Sequence, residues 1–188
     1  AKSMDLSYKP SAMLLKLAGD EFKEIHTYQL GEILQTKSNG LIDEFISYAK
    51  QNGGSLKISY QDEHLKSIMG MMITIQTVWH IVKQIGSNFD IEFKVEAYRD
   101  DKGNANKICT NMPSSEVRDK WLTNFTNAWI DDLKYDQNIE GHLLPVVSVP
   151  KRTLTHWRVL SITCGNKKLS IYPDGGFINE WNIARQPN

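Results

Sequence analysis

The sequence lacks the residue patterns that many nucleotide-dependent and metal-dependent enzymes carry. It has no GxxxxGK[ST] loop and no GxGxxG loop, the two common turns that cradle phosphates. It has no HExxH, no CxxC and no clustered His/Cys pattern, so no zinc site is indicated, and it has no GxSxG nucleophile elbow. We therefore predict no catalytic residues, no metal and no cofactor.

Cysteine and long apolar runs are also scarce. Cys109 and Cys164 are the two cysteines, and they lie far apart along the chain. Two free thiols are typical of a reducing compartment, so we expect a cytoplasmic protein, although one disulfide between them stays an open alternative. The longest apolar run, 68–82, is interrupted by polar residues. It is too short and too polar to cross a bilayer, so no transmembrane segment is predicted.

Neither sign of charge predominates. The 188 residues carry 22 Lys and Arg and 22 Asp and Glu, which gives a formal net charge of zero. A nucleic-acid binder whose affinity is mainly electrostatic needs an excess of positive charge, so the balance of charge argues against that class, and a nucleic acid or a phosphorylated ligand stays a possible partner. A local basic patch is still present in or beside the last predicted strands, at Lys151, Arg152, Arg158, Lys167 and Lys168.

Hydrophobic periodicity predicts both helices and strands. Apolar side chains at intervals of three and four predict helices at 11–35, 41–51, 64–85 and 114–134. Within the first of these, residues 21–25 stay open between helix and strand. Alternating apolar and polar side chains predict strands at 56–60 and 89–97.

Caps and connections complete this prediction. Asp62 is expected to cap the N-terminus of helix 64–85, and Ser114 that of helix 114–134. Residues 135–152 are expected to form a long connector, in which 143–149 can hold a short strand.

The element order predicts a single α/β domain over 1–188. Its mixed sheet has a β-α-β crossover, helices on its faces and a C-terminal β-hairpin. The segment 55–97 is the right-handed crossover that joins parallel strands. Residues 100–152 are expected to be an insertion or elaboration, and residues 1–10 a linker or residues left by cloning.

The segment 153–181 is the most site-like part of the chain. Residues 154–163 are expected to form a strand, Gly165-Asn166 supplies a two-residue turn with glycine first, and 169–172 form the return strand. His156 and Arg158 are two residues apart, on the same side of the first strand. Together they offer hydrogen-bond donors to a phosphate or a carboxylate.

We predict a ligand-binding site made of His156, Arg158, Lys168, Tyr172 and Asp174. The structural alternative is that Arg158 pairs with Asp174 or Glu180 and that His156 caps a strand end. The predicted function is a non-catalytic recognition domain within a larger protein or assembly. Its ligand would be a phosphate-bearing molecule, a nucleic-acid end or an acidic protein partner. The alternative is a phosphodiesterase or nuclease that uses His156 as nucleophile or general base.

Three other groups of residues allow two interpretations. Asp90, Glu92 and Lys94 have the chemistry of a restriction-type nuclease site, but they also fit the charged, wet face of one strand. The methionines at 69, 71 and 72 can form a soft contact surface for a partner or pack in the core. Trp121 and Trp129 can form a ligand platform or a helix-packing stripe.

The motif His156-Trp157-Arg158, followed by 169–172 and Asp174-Gly175-Gly176, resembles a known family. It is similar to the degenerate phospholipase-D-like domain at the C-terminus of MIT-domain proteins, in which a His-x-Arg strand precedes a glycine-rich strand and turn. Active members of the superfamily carry His-x-Lys-x4-Asp, whereas this chain has Arg158 and Thr163 at the lysine and aspartate positions. The resemblance implies a fold that keeps an anion-facing corner and has lost hydrolysis.

Overall fold

The computed structural model describes residues 13–27, 40–63, 65, 68–96, 114–150, 153–154 and 158–173. Its helices are α1 (Leu41–Asn52), α2 (Ile68–Ile85) and α3 (Ser115–Gln137). Its strands are β1 (Met13–Ala18), β2 (Lys23–Thr27), β3 (Leu56–Asp62), β4 (Phe89–Glu96), β5 (Gly141–Leu143), β6 (Val147–Val149), β7 (Val159–Cys164) and β8 (Lys167–Tyr172).

The eight described strands form one mixed sheet. Their order is β2-β1-β8-β7-β3-β4-β5, and β6 also pairs with β4. Strands β3 and β4 are parallel and are joined through α2, as the crossover prediction requires. Strands β7 and β8 form an antiparallel hairpin across the Gly165-Asn166 turn. The predicted α/β fold class is therefore confirmed.

One face of this sheet is apolar and is covered by the three described helices. Side chains alternate along a strand, so every second residue of each strand points to this face. The strand registers align these buried residues across the sheet. Helix α2 contacts both α1 and α3, and the rings of Trp79 and Trp129 pack 6.0 Å apart between α2 and α3. The buried side chains of the sheet are Met13, Leu15, Leu17, Leu56, Ile58, Tyr60, Phe89, Ile91, Phe93, Val95, Leu160, Ile162, Leu169 and Ile171.

The prediction of a helix over 11–35 is wrong where the structure describes it. Residues 13–18 and 23–27 are instead antiparallel strands, so the open segment 21–25 enters a strand at Lys23. Leu15 lies opposite Ile171 and Leu17 opposite Leu169 in the neighbouring β8. This long-range pairing selects the strand, because a short apolar run satisfies both periodicities. Residues 28–35 lie outside the described residues.

One predicted cap is wrong and the other is confirmed. Asp62 is the last residue of β3 and lies opposite Val95, so it does not begin a helix. Its carboxylate is held by side chains of the sheet, which local sequence does not reveal. Ser114 caps α3, since its Oγ accepts a hydrogen bond from the Val117 backbone N–H at 3.2 Å.

The predicted connector 135–152 is partly structured. It contains the end of α3 and the short strands β5 and β6, both parallel to β4. The strand expected within 143–149 is therefore present at 147–149. None of the described helices is both long enough and apolar enough to cross a membrane.

Candidate functional site

The carboxyl ends of the parallel strands β3 and β4 bring several buried charges together. Asp62, Glu63 and Glu96 are 4%, 7% and 5% exposed, and Arg118 is fully buried. Ligands of open sheets with parallel strands commonly bind beyond these carboxyl ends. This edge is therefore one candidate for a ligand-binding site.

Strand β7 brings Arg158 to this edge. Val159 lies opposite Gln61 of β3, so the next step of the register places Arg158 beside Asp62. The Arg158 Nε lies 3.3 Å from Asp62 Oδ1, and the two side chains are 18% and 5% exposed. The hydroxyl of Tyr60 donates a hydrogen bond of 2.8 Å to the other oxygen of Asp62. Asp62, which is itself fixed by Tyr60, therefore holds the guanidinium of Arg158 in one position.

The environment of Tyr60 keeps its hydroxyl protonated. Burial is the main reason why the pKa of Tyr60 lies well above its usual value. The charge of Asp62 and the hydrogen bond to it raise this pKa further, while Thr74 and Arg158 act in the opposite direction. Tyr60 thus stays a hydrogen-bond donor to Asp62 at physiological pH.

Arg118 has a structural role at the same edge. Its Nη1 donates to the backbone oxygen of Glu96 at 2.6 Å, and its Nη2 donates to Ser148 Oγ at 3.4 Å. Its Nε donates to Asp119 at 2.8 Å. These bonds tie the end of β4 to α3 and β6. Because the side chain is completely buried, it is a structural tie rather than a ligand contact.

Three of the five predicted site residues are described by the structure. Arg158 lies at the start of β7, while Lys168 and Tyr172 lie on β8. His156 and Asp174 lie outside the described residues, so their part in a site and the hydrolytic alternative stay predictions.

The register separates the three described residues into two places. Lys168 lies opposite Thr163, five residues along β7 from Arg158, which is about 16 Å at ~3.3 Å per residue. Tyr172 lies opposite Leu14 on β1, and the register of the hairpin places it beside Val159, next to Arg158. Arg158 points with Asp62 to the helix-covered face, whereas Tyr172 and Lys168 point to the opposite face, at the two ends of β8.

The sheet face that points away from the described helices carries lysines and hydroxyl groups. Across the sheet, Lys16 neighbours Ser170, Ser170 neighbours Ser161, and Ser161 neighbours Ser59. The row nearer the hairpin turn contains Lys168, Thr163 and Lys57. We call the following twelve residues the lysine–serine face: Leu14, Lys16, Ala18, Lys57, Ser59, Gln61, Val159, Ser161, Thr163, Lys168, Ser170 and Tyr172.

None of these twelve residues is acidic. On the same side of the sheet, the flanking strands place Glu24 beside Lys16, and Asp90 and Glu92 beside Lys57 and Ser59. Lys57, Ser59 and Lys168 are exposed, whereas Ser161 and Ser170 are buried, with their Oγ atoms 3.5 Å apart. Short side chains therefore form the centre of the face and longer basic ones form its borders.

Lys16 connects the lysine–serine face to its surroundings. Its Nζ lies 3.5 Å from Glu24 and 5.3 Å from the centre of the Tyr172 ring. Such partly exposed ion pairs contribute little stability, so an anionic ligand can compete with Glu24 for this lysine.

Sequence reasoning did not find the contribution of β1 and β3 to this face. Lys57 and Ser59 are the polar members of the alternating segment 56–60, so their exposure was predictable. Their position beside Ser161 and Lys168 was not, because it depends on strand pairing across about a hundred residues of chain.

No family model, curated protein or solved structure matches this chain. The phospholipase-D-like resemblance therefore stays a prediction.

The acidic strand face shows no metal-binding arrangement. Asp90 and Glu92 are half-buried and Lys94 is exposed, on the face of β4 that points away from the described helices. Asp90 lies 3.2 Å from His142 Nδ1. In the part of the chain that the structure describes, no group of three or more His, Cys, Asp or Glu side chains is arranged to hold a metal ion.

A polar cleft of about 580 Å³ lies between α1 and the hairpin turn. Glu44 on its wall lies 3.0 Å from Lys23 Nζ and 3.9 Å from Lys167 Nζ, and Lys167 lies over the Tyr48 ring at 4.7 Å. The hydrogen bond to Glu44, with its charge, raises the pKa of Lys23. The charges of this cleft compensate one another, which makes it a weaker candidate than the lysine–serine face.

Proposed function

We propose that this protein is a non-catalytic recognition domain that binds a phosphate-bearing ligand across the lysine–serine face. One observation carries the proposal: on the four strands β1, β8, β7 and β3 this side of the sheet has three lysines, four serine or threonine hydroxyls and a tyrosine, and its carboxylates lie only on the flanking strands β2 and β4. In a chain whose net charge is zero, the lysines of this side thus lie on the middle strands and its carboxylates on the strands that flank them.

The chemistry of the face suits phosphate oxygens. Lysine ammonium groups and serine or threonine hydroxyls are both donors to phosphate. Lys57 and Lys168 are two strands apart, or about 10 Å at ~4.8 Å per strand, so they can contact neighbouring phosphates of one ligand. The ring of Tyr172, with Lys16 Nζ 5.3 Å from its centre, offers a surface on which a base or another planar group can stack.

The expected affinity is modest and depends on salt. Each phosphate contact to a single strand contributes about −0.7 to the slope of log K against log salt concentration. Contacts from the three lysines of the face therefore predict a slope of about −2.

The test is a binding titration with a fluorescent, 5′-phosphorylated oligonucleotide of eight thymidines, with inorganic phosphate as competitor. The variant Lys57→Gln/Lys168→Gln removes two positive charges from the face. Its matched control, Lys50→Gln/Lys134→Gln, removes two from exposed positions on α1 and α3. We expect the first variant to bind about tenfold more weakly or worse, with a salt slope reduced by about 1.4, and the control to bind normally.

Equal losses in both double variants would contradict the proposal, because they would show that only net charge matters. Binding that is insensitive to both variants would also contradict it. The proposal agrees with what the family resemblance implies, an anion-facing corner without hydrolysis, and that family assignment remains part of the proposal.

A further inference from the structure

We propose that α3 carries a second binding surface, separate from the lysine–serine face, which docks a basic amphipathic helix of a partner protein. The surface is the outer stripe of α3, formed by Trp121, Phe125, Ala128, Asp132, Tyr135 and Asp136. At about 100° per residue these side chains lie within about 60° of the direction of Trp121. The buried Leu122, Thr126 and Leu133 lie about 100° to 140° from that direction, and the buried Arg118 lies at the border of the stripe, one turn before Trp121.

The first half of the outer stripe is aromatic. Trp121 is 43% exposed, and its ring packs with a centroid distance of 5.3 Å against that of Phe125, which is half-buried against the core. By contrast, Trp129 lies nearer the buried side and packs on Trp79. Trp129 thus packs within the protein, whereas Trp121 lies on the surface. Exposed aromatic side chains are characteristic anchor residues of protein interfaces.

The second half of the outer stripe is acidic, and it breaks two local rules of helix stability. Asp132 and Asp136 are exposed and one turn apart, so their charges repel. Asp136 also lies in the last turn of α3, where the helix dipole disfavours negative charge. Within the described part of the chain, no hydrogen bond or ion pair joins either carboxylate to another residue. Tyr135, between them, is 91% exposed.

These features favour one kind of occupant. A helix with apolar side chains at its centre and Lys or Arg toward one end would cover Trp121 and Phe125 and compensate Asp132 and Asp136. The stripe is about 22 Å long at ~1.5 Å per residue, which is the length of a helix of about 15 residues. A second copy of this chain that pairs through the same stripe fits poorly, because the stripe has no basic residue to compensate the aspartates. An anionic membrane surface would be repelled by the aspartates.

The experiment selects binders from a displayed library of randomised helical peptides on the full chain. Selection against Trp121→Ala in parallel removes peptides that bind elsewhere. We expect the enriched peptides to have apolar residues at helical spacing and an excess of Lys and Arg. Their affinity should fall at least tenfold with Trp121→Ala and with Asp132→Lys/Asp136→Lys.

Thermal unfolding separates loss of binding from loss of folding. Asp132→Lys/Asp136→Lys should raise the melting temperature, since it removes the repulsion and the mismatch with the dipole, while it abolishes binding. Glu21→Lys changes an exposed carboxylate at the far end of the sheet and should leave peptide binding unchanged. So should Lys57→Gln/Lys168→Gln, which tests the lysine–serine face independently.

Three results would overturn the proposal. The first is an enriched set without basic or amphipathic character. The second is peptide binding that survives Asp132→Lys/Asp136→Lys. The third is a concentration-dependent dimer that is lost with Trp121→Ala, since a second copy would then be the occupant.

Discussion

Tyr60, Asp62 and Arg158 form a chain of contacts that ends at the rim of the sheet. Tyr60 and Asp62 are nearly fully buried, and Arg158 is partly exposed. A buried carboxylate is tolerated when it is paired and hydrogen-bonded, and here the tyrosine and the arginine do both. Tyr60 therefore holds Asp62, and Asp62 in turn holds the partly exposed guanidinium of Arg158 in one position.

The ion pair predicts strong coupling between its two members. Arg158→Gln alone leaves Asp62 without its observed cation and should lower the free energy of unfolding by about 3 kcal/mol or more. Asp62→Asn/Arg158→Gln should cost less than the sum of the two single changes, because no uncompensated charge stays buried. Urea unfolding of the four proteins measures this coupling. Additive effects would show that the pair does not hold Arg158 in place.

The raised pKa of Tyr60 predicts a loss of stability in alkali. The folded protein keeps the phenol proton to a higher pH than the unfolded chain does, so this stability is fully present below about pH 10, the pKa of an ordinary tyrosine. Above that pH it declines by about 1.4 kcal/mol per pH unit until the folded protein also loses the proton.

Tyr60→Phe should remove this contribution. At pH 7 it should be destabilised by about 1.5–3 kcal/mol, because the hydrogen bond to a charged group is lost. Between pH 10 and 11 its unfolding free energy should fall less steeply with pH than that of the unsubstituted protein. The two slopes should differ by about 1.4 kcal/mol per pH unit, which corresponds to one proton. Identical slopes in the two proteins would contradict the shifted pKa.

At the scale of the elements, the hairpin turn joins β7 and β8 to the rest of the fold. Gly165 has φ of 55°, a conformation that side chains rarely adopt. The next residue, Asn166, accepts a hydrogen bond from the Tyr48 hydroxyl at 2.7 Å and donates one to Asp20 at 3.2 Å. The turn is therefore tied to α1 and to the β1–β2 connection.

Gly165→Ala should lower the free energy of unfolding by about 1–2 kcal/mol, because alanine is strained at positive φ. A Cβ at this position would also lie 3.2 Å from the Tyr48 hydroxyl. Gly165→Asn should cost less, since asparagine tolerates this conformation better. Thermal unfolding distinguishes the two, and an equal cost for both would show that crowding and not φ determines the effect.

The elements differ in how well sequence predicts them. Strands β3 and β4, helices α1 to α3 and the final turn follow from local periodicity and from turn residues, and they were predicted. Strands β1 and β2 were not, because the run from Met13 to Ala18 fits a helix as well as a strand and its partner β8 comes about 150 residues later. The prediction that Asp62 caps a helix failed for the same reason, since its partner Arg158 is 96 positions away along the chain. Long-range pairing also assembled the lysine–serine face.

For the whole molecule, the two proposed surfaces lie on different sides of the structure. The lysine–serine face points away from the described helices, and the outer stripe of α3 is on the helical side. No residue belongs to both, and changes at separate sites usually have additive effects. We expect the affinity for the phosphorylated oligonucleotide to be the same with and without a bound helical peptide. Titrations with and without saturating peptide measure this, and a change of more than about threefold would show coupling between the surfaces.

The most direct test of the proposed function is a map of where a phosphate-bearing ligand contacts the sheet. Nuclear magnetic resonance of the ¹⁵N-labelled protein, titrated with the eight-thymidine oligonucleotide, supplies this map. We predict that the amide signals of Lys57, Ser59, Ser161, Thr163, Lys168 and Ser170 shift progressively and saturate together, while those of α1, α2 and α3 stay in place. Shifts that are confined to the helices, or no saturable shifts on these strands, would contradict the proposed function.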